Sequence, residues 1–243
     1  MATRPRPIVP EIPTVPRNTF LEEGYFSYRP GDHVTLLGPT GSGKTTLGYE
    51  LIDKAATPDV PAVILVIKPR DEVVERWRKR LKFKAVKTWP PINTMWNQKP
   101  RGYVFWPKHS HDPRKDDPML YREMRKAILD SYRKGNRILF ADETFGLVDV
   151  GLQRELVTVW TRGRSMGCGL WCSSQRPTHI PLTAYSQAEH LFFHHDPDKR
   201  ARDRFKEIGG VDPAQIEETV MKLKRHQWLY IRRDGPYLFV VDR

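Results

Sequence analysis

The stretch that most limits what this chain can fold into is Gly38-Pro39-Thr40-Gly41-Ser42-Gly43-Lys44-Thr45-Thr46. Two glycines bracket four residues and are followed by Lys and Thr, the pattern of a loop that wraps phosphate groups with its backbone N–H donors. Such a loop must turn where a Cβ would obstruct, and Gly38, Gly41 and Gly43 provide that freedom. Its flanks agree: His33-Val34-Thr35-Leu36-Leu37 reads as a short buried strand, and residues 46–52 read as the helix that opens after the loop. The helix N-terminus adds partial positive charge, Lys44 is placed to reach the β and γ phosphates, and the Thr45 hydroxyl can take one position on Mg²⁺.

A phosphate loop needs acids from elsewhere in the chain. They come at Arg137-Ile138-Leu139-Phe140-Ala141-Asp142-Glu143-Thr144, an apolar strand that delivers two carboxylates at its carboxyl end. Asp142 is expected to hold Mg²⁺ through its water shell, and Glu143 to accept a proton from, or orient, the water that attacks the γ-phosphate. A further buried strand over 169–174 ends in Gln175-Arg176-Pro177, and an amide there can contact both the γ-phosphate and that water. Residues 152–166 read as a helix with Leu152, Leu156, Val159 and Trp160 on one face, closing on Arg162-Gly163-Arg164. A guanidinium here suits the charge on a transferring phosphoryl group across a subunit boundary; a solvated surface arginine is the alternative.

Length and charge narrow the setting. The 243 residues suffice for one full core, and 39% hydrophobic residues suit a globular α/β protein. A formal charge of +12 concentrates polyanions around the molecule, which makes nucleic acid the leading partner; simple solubility is the competing explanation. Cys168 and Cys172 lie inside an apolar run with no matching ligand pair, so buried free thiols in a reducing compartment are expected. No segment is apolar for long enough to span a bilayer, and the N-terminus lacks a signal-peptide core, which predicts a cytoplasmic protein.

Taken in order, residues 1–30 carry Pro5, Pro7, Pro10, Pro13, Pro16 and Pro30 and are expected to form an extended arm, with the ATPase domain over 31–243. Tyr25, Phe26 and Tyr28 either cover the sheet edge or stack on an adenine ring. Residues 62–67 read as a parallel strand ending in Lys68-Pro69-Arg70-Asp71, at the strand end where ligands bind in open α/β sheets. A charged helix follows over 72–81. Short strands are expected at 84–89 and 101–106, where Trp89, Trp96, Tyr103, Phe105 and Trp106 alternate with lysines and arginines. That mixture suits either a strand core or a surface that follows nucleic acid. His109 and His111 are a metal pair or a solvated loop. Helices are expected over 118–132, 198–208 and 213–223, a strand over 189–194, and a terminal hairpin at 227–232 and 237–241 around Asp234-Gly235-Pro236. His194, His195 and Asp196 read as a strand end.

In this order GPTGSGKTT, VIKPRDE, ILFADET, TRGRSMG and LWCSSQRP resemble the FtsK–HerA group of P-loop ATPases, over about residues 32–187. The resemblance implies an ASCE or RecA-like three-layer αβα fold with a mostly parallel central sheet, closed here by a C-terminal β-hairpin. It implies an oligomeric ring with ATP at subunit interfaces and DNA in its channel. It also implies Lys44 and Thr45 at the phosphates and Mg²⁺, Asp142 and Glu143 as the acidic pair, Gln175 as the sensor, and Arg162 or Arg164 as a finger. The compact chain is similar to small viral packaging ATPases, for which the expected partners are double-stranded DNA, further copies of the chain and a capsid or portal component. Two other functions use the same loop: a P-loop phosphotransferase acting on a small substrate, and a non-hydrolysing ATP-binding assembly protein.

Overall fold

The continuous apolar runs of the sequence become the interior strands of one sheet. The computed structural model describes residues 12–91, 99–205, 208, 211–235 and 237–243. Its strands are β1 (Thr14–Pro16), β2 (Val34–Leu37), β3 (Ala62–Leu65), β4 (Lys84–Val86), β5 (Gly102–Phe105), β6 (Arg137–Ala141), β7 (Cys168–Ser174), β8 (His190–Phe193), β9 (Trp228–Arg232) and β10 (Tyr237–Asp242). Its helices are α1 (Arg17–Glu22), α2 (Lys44–Ala55), α3 (Glu72–Arg80), α4 (Pro113–Lys134), α5 (Thr144–Leu147), α6 (Gln153–Arg162), α7 (Thr183–Ser186), α8 (Lys199–Phe205) and α9 (Pro213–Lys222).

The strand order is β1-β10-β9-β8-β2-β7-β6-β3-β5-β4. Only β9 runs against the rest, as the first arm of the terminal hairpin. Parallel strands covered on both faces need apolar side chains at successive positions, which is why these runs do not alternate with polar residues. Ala62, Ile64, Ile138 and Phe140 face the layer of α1, α2 and α3, while Val63, Leu65, Leu139 and Ala141 face the layer built around α4, α6, α8 and α9. The result is the expected three-layer αβα arrangement with a mostly parallel sheet and a C-terminal hairpin.

Several local expectations change in the folded chain. The helix expected from Pro118 begins at Pro113, because the Asp112 carboxylate accepts the Arg114 N–H and caps it. Pro118 then sits in the second turn, where its ring costs one backbone hydrogen bond. The helix expected through Met166 ends at Arg162, and a single 3-10 turn, Arg164–Met166, leads into β7.

The larger change concerns the arm. Residues 12–30 do not stand free, whereas residues 1–11 lie outside the described residues. Strand β1 adds to the sheet parallel to β10, with Val15 opposite Val241. Helix α1 buries Phe20 against Phe192 and Tyr230, at ring-centroid distances of 6.0 and 4.8 Å. Phe26 and Tyr28 pack edge-on against Trp171, at 5.9 and 5.3 Å, and Tyr25 packs against Phe239. Proline removes donors, but an edge strand needs them on one side only, and the aromatic residues supply the apolar area that keeps the segment down. These three aromatics therefore cover the sheet. Phe20→Ala should cost about 3 kcal/mol of unfolding free energy, the usual scale for emptying a fully buried aromatic site. Denaturant unfolding checks this, and a midpoint unchanged from the parent would mean that the segment is not part of the core.

Candidate functional site

Parallel register brings the chemistry to one edge of the sheet. Leu37, the last residue of β2, lies opposite Ser174 of β7 and Phe193 of β8, and Ala141 of β6 lies opposite Cys172. The residues that follow these strand ends, Gly38, Gln175, His194 and Asp142, therefore share the carboxyl edge, where open α/β sheets bind ligands.

The phosphate loop runs from Gly38 to Gly43 between β2 and α2. Gly41 and Gly43 have φ of 80° and 92°, a region that side chains with a Cβ rarely enter. Gly38 is needed for a different reason: a Cβ there would lie 2.6 Å from the His194 Cβ. Lys44 opens α2 and folds back over the loop, donating to the carbonyls of Gly38 at 2.7 Å and Pro39 at 2.9 Å. Two of its three ammonium donors are thereby engaged, which leaves the third for a ligand. The side chain is only 8% exposed, and burial pulls its pKa down to about 8 against the favourable pull of Glu143 and Asp142.

The acids lie where the sequence puts them. The Thr45 hydroxyl, one residue into α2, donates to both Asp142 carboxylate oxygens, at 3.1 and 3.3 Å. Asp142 is 8% exposed, and burial raises its pKa to about 6 despite that hydrogen bond and the nearby Lys68. A buried carboxylate beside a hydroxyl is an all-oxygen donor pair, the set that Mg²⁺ takes, and a cation would offset the burial that now disfavours the charged acid. The residues therefore fit the metal. Glu143 is half-buried at the start of α5, and burial raises its pKa too, against the pull of Lys68, Lys44 and Gln175.

Gln175 ties these parts together. Its amide N–H donates to Glu143 at 3.2 Å, and its carbonyl accepts the Thr40 hydroxyl of the phosphate loop at 2.8 Å. Loop, acid and strand end form one hydrogen-bonded set.

Arg162 and Arg164 are not part of it. They precede β7 and so lie at the amino edge of the sheet, with Gly31 against the Arg164 backbone. The Arg164 guanidinium pairs with Glu189 and donates to the Gln187 carbonyl at 3.3 Å, while Arg162 is exposed at the end of α6. Neither can reach the phosphate loop of its own chain.

Of the other candidates, Asp71 caps α3 through the Val73 and Val74 N–H groups and pairs with Lys68 at 3.4 Å. Trp89 is core, packed on Tyr103 and Phe105 and bonded through its indole N–H to Asp130, while Trp96 lies outside the described residues. His109 and His111 belong to a loop gathered around Asp116, and among the described residues no cluster of three or more possible ligands is suited to a metal. Sequence reading passed over His226, whose ring Nδ1 lies 3.6 Å from where a Gly43 Cβ would be. No spacing pattern links a turn before β9 to a loop after β2.

The same fold recurs in solved structures. The genome packaging NTPase B204 from Sulfolobus turreted icosahedral virus 2, in complex with AMP, aligns over 88% of this chain and 98% of its own, with TM-score 0.63 and 16% identity. The fold is that of a P-loop NTPase. The bacterial conjugative coupling protein TrwBdeltaN70 aligns over 95% of this chain and 92% of its own, with TM-score 0.56 and 12% identity. VirB4 of Thermoanaerobacter pseudethanolicus aligns over 87% and 89%, with TM-score 0.63 and 9% identity. No family model matches the chain, and no curated sequence matches it. At such identities what this chain shares with the three is its backbone arrangement.

The two shifted groups set a pH window. Asp142 takes up a proton as pH falls through about 6 and then loses its attraction for a cation. Lys44 loses its charge as pH rises through about 8 and then loses its attraction for phosphate. The affinity for ATP with Mg²⁺ should be highest near neutral pH and decline on both sides, with Asp142→Asn removing the acid limb. Titrations with a fluorescent ATP analogue from pH 5 to pH 9.5 would read this directly, and a flat profile would mean that these groups do not face the nucleotide.

Proposed function

We propose that this protein is an ATP-hydrolysing motor that moves double-stranded DNA, acting as a homo-oligomeric ring of the kind that packages a viral genome. One observation carries the enzymatic part: the Thr45 hydroxyl and Asp142 carboxylate meet at 3.1 Å while Glu143, one residue on, is bonded to Gln175. The backbone N–H groups of residues 38–46 would wrap the phosphates, with Lys44 on the β and γ oxygens. Mg²⁺ held by Thr45, and by Asp142 through water, would neutralise charge on the phosphate oxygens. Glu143 would orient the attacking water and accept its proton as the new P–O bond forms and the bond to ADP breaks. Its raised pKa makes it a better base than an ordinary carboxylate. Gln175, bonded to both Glu143 and Thr40, is placed to sense whether the γ-phosphate is present.

Oligomerisation is supported by where two of the candidate arginines stand. Arg162 or Arg164, at the opposite sheet edge from their own loop, could stabilise a transferring phosphoryl group only in the site of a neighbouring copy. DNA as the moved polymer is supported by the charge of +12, by the FtsK–HerA-like motif order, and by the packaging and conjugation proteins that share the fold. A capsid or portal component is the protein partner this reading calls for. No helix among the described residues is long and apolar enough to cross a membrane, and both cysteines are free and buried, which fits action in the cytoplasm.

Two outcomes are expected. Glu143→Gln should keep ATP binding and lower turnover by about 100-fold or more, the scale of a missing general base, whereas Lys44→Ala should lose binding itself. ATPase activity should rise on adding long double-stranded DNA, and that stimulation should fall steeply across a salt series as phosphate contacts are screened. Hydrolysis indifferent to DNA, by a chain that stays monomeric, would remove the motor reading. Labelled γ-phosphate appearing on a small acceptor would favour a phosphotransferase instead.

A further inference from the structure

The sheet ends differently at its two margins. At one, β1 covers β10; at the other, no strand lies beyond β4 among the described residues. Val86 of β4 directs its carbonyl to the Trp106 N–H, so Ala85, one residue earlier, directs its N–H and carbonyl off the edge of the sheet. An open edge of this kind is a template for another strand. The layer over it is unfinished as well. Ala85 lies opposite Val104 of β5 and shares its face, the one covered by α3, yet Val104 is fully buried and Ala85 is exposed. Here lies a cavity of about 490 Å³, with Ala85, Val104 and Trp106 as an apolar floor and Glu72, Glu75 and Arg78 of α3 also lining it.

One stretch of the chain, outside the described residues, has the pattern that completes such an edge: Arg4-Pro5-Arg6-Pro7-Ile8-Val9. In an extended strand successive N–H groups point to alternate sides. Pro5 and Pro7 have none and share a parity, so the N–H groups of Arg4, Arg6 and Ile8 all serve a partner on one side, while the other side is poor in donors. A strand of this kind pairs on one side and ends a sheet. The same parity puts Pro5, Pro7 and Val9 on one face as an apolar stripe. Laid parallel to β4 with Pro7 opposite Ala85, the Ile8 N–H would donate to the Ala85 carbonyl and the Ala85 N–H to the Arg6 carbonyl. The apolar stripe would then cover the apolar floor of the cavity. An antiparallel strand would put Arg4 and Arg6 there instead.

The stretch cannot do this in its own chain. Ile12 precedes β1 at the opposite margin, and nine strand spacings put β4 roughly 40 Å away. The five residues from Ile12 back to Pro7 span at most about 18 Å. We infer that residues 5–9 of one copy add as a parallel strand to β4 of a second copy, closing the open edge of its sheet and filling the cavity beside α3. Copies are thereby joined margin to margin, the β1 side of one to the β4 side of the next. The inference goes beyond the function proposed above, and it stands on the sheet edge alone, whether or not the phosphate loop binds a nucleotide.

The test joins two full-length chains of different mass, one carrying Pro7→Cys and the other Ala85→Cys, with a short thiol crosslinker. Both native cysteines are buried, so the new thiols are the ones that react. Ala85 is exposed and close to cysteine in size, so the edge should keep its form. The expected result is a covalent pair of unlike chains, formed at least about fivefold more than when the second thiol is placed by Asp59→Cys, since docking raises the effective concentration at β4 alone. Asp59 is exposed at the amino edge, before β3. A free peptide of residues 3–10 should suppress the crosslink, and the same peptide with Pro7→Asp and Val9→Asp should not. Equal yields at Ala85 and Asp59, or equal suppression by the two peptides, overturn the inference. A single chain carrying both substitutions that crosslinks within itself at high dilution also overturns it, because the arm would then reach its own edge.

Discussion

The contact between the Thr45 hydroxyl and the Asp142 carboxylate is the point on which the rest of the structure depends. It joins the first turn of a helix that follows β2 to the end of β6, with β7 running between them. A hydroxyl and an acid far apart in sequence meet at 3.1 Å only if three parallel strands end level with one another. The register does this, and the apolar residues on both faces of each strand fix the register, since a slip by one residue would turn every one of them to the opposite layer.

The cost of that arrangement appears in the site itself. Lys44 and Asp142 are both buried, and burial moves their pKa values in opposite directions, one down to about 8 and the other up to about 6. Opposite charges a short way apart offset part of the penalty, and the loop carbonyls that hold Lys44 offset more. Such a site is poised for a ligand that brings negative charge to the lysine and a cation to the acid together. In the function proposed above, magnesium-bound triphosphate would supply both.

On the far side of β2 the molecule closes over itself. Strand β1 pairs with β10, α1 sinks Phe20 between Phe192 and Tyr230, and Arg17 reaches the carbonyl of His226. These contacts are apolar and polar in turn: the aromatics hold the segment in place, and the arginine then presents a buried, charged wall beside the phosphate loop. At the opposite margin Trp106 donates to the Lys68 carbonyl, with Lys87 over its ring, so the aromatic and basic residues there are engaged with one another.

What the sequence determined by itself was everything whose cause is local or periodic. The glycine spacing of residues 38–43, the apolar runs that became β2, β3, β6 and β7, and the acid pair after Ala141 were legible because each is a pattern of neighbours in the chain. The Asp–Gly–Pro turn between β9 and β10 was legible for the same reason, although Pro236 lies outside the described residues. Tertiary structure decided what depends on distance. Prolines argued for an extended arm without helix or sheet, yet residues 14–22 form a strand and a helix, and the burial of Phe20 and Phe26 outweighs the donors those prolines remove. Arg162 and Arg164 lie at the wrong edge for their own loop because they precede a strand that runs parallel to β2, and His226 gained its place over Gly43 from the order in which strands pair. That order is set by how apolar faces are shared among layers, a property of the whole chain that no short window of residues contains.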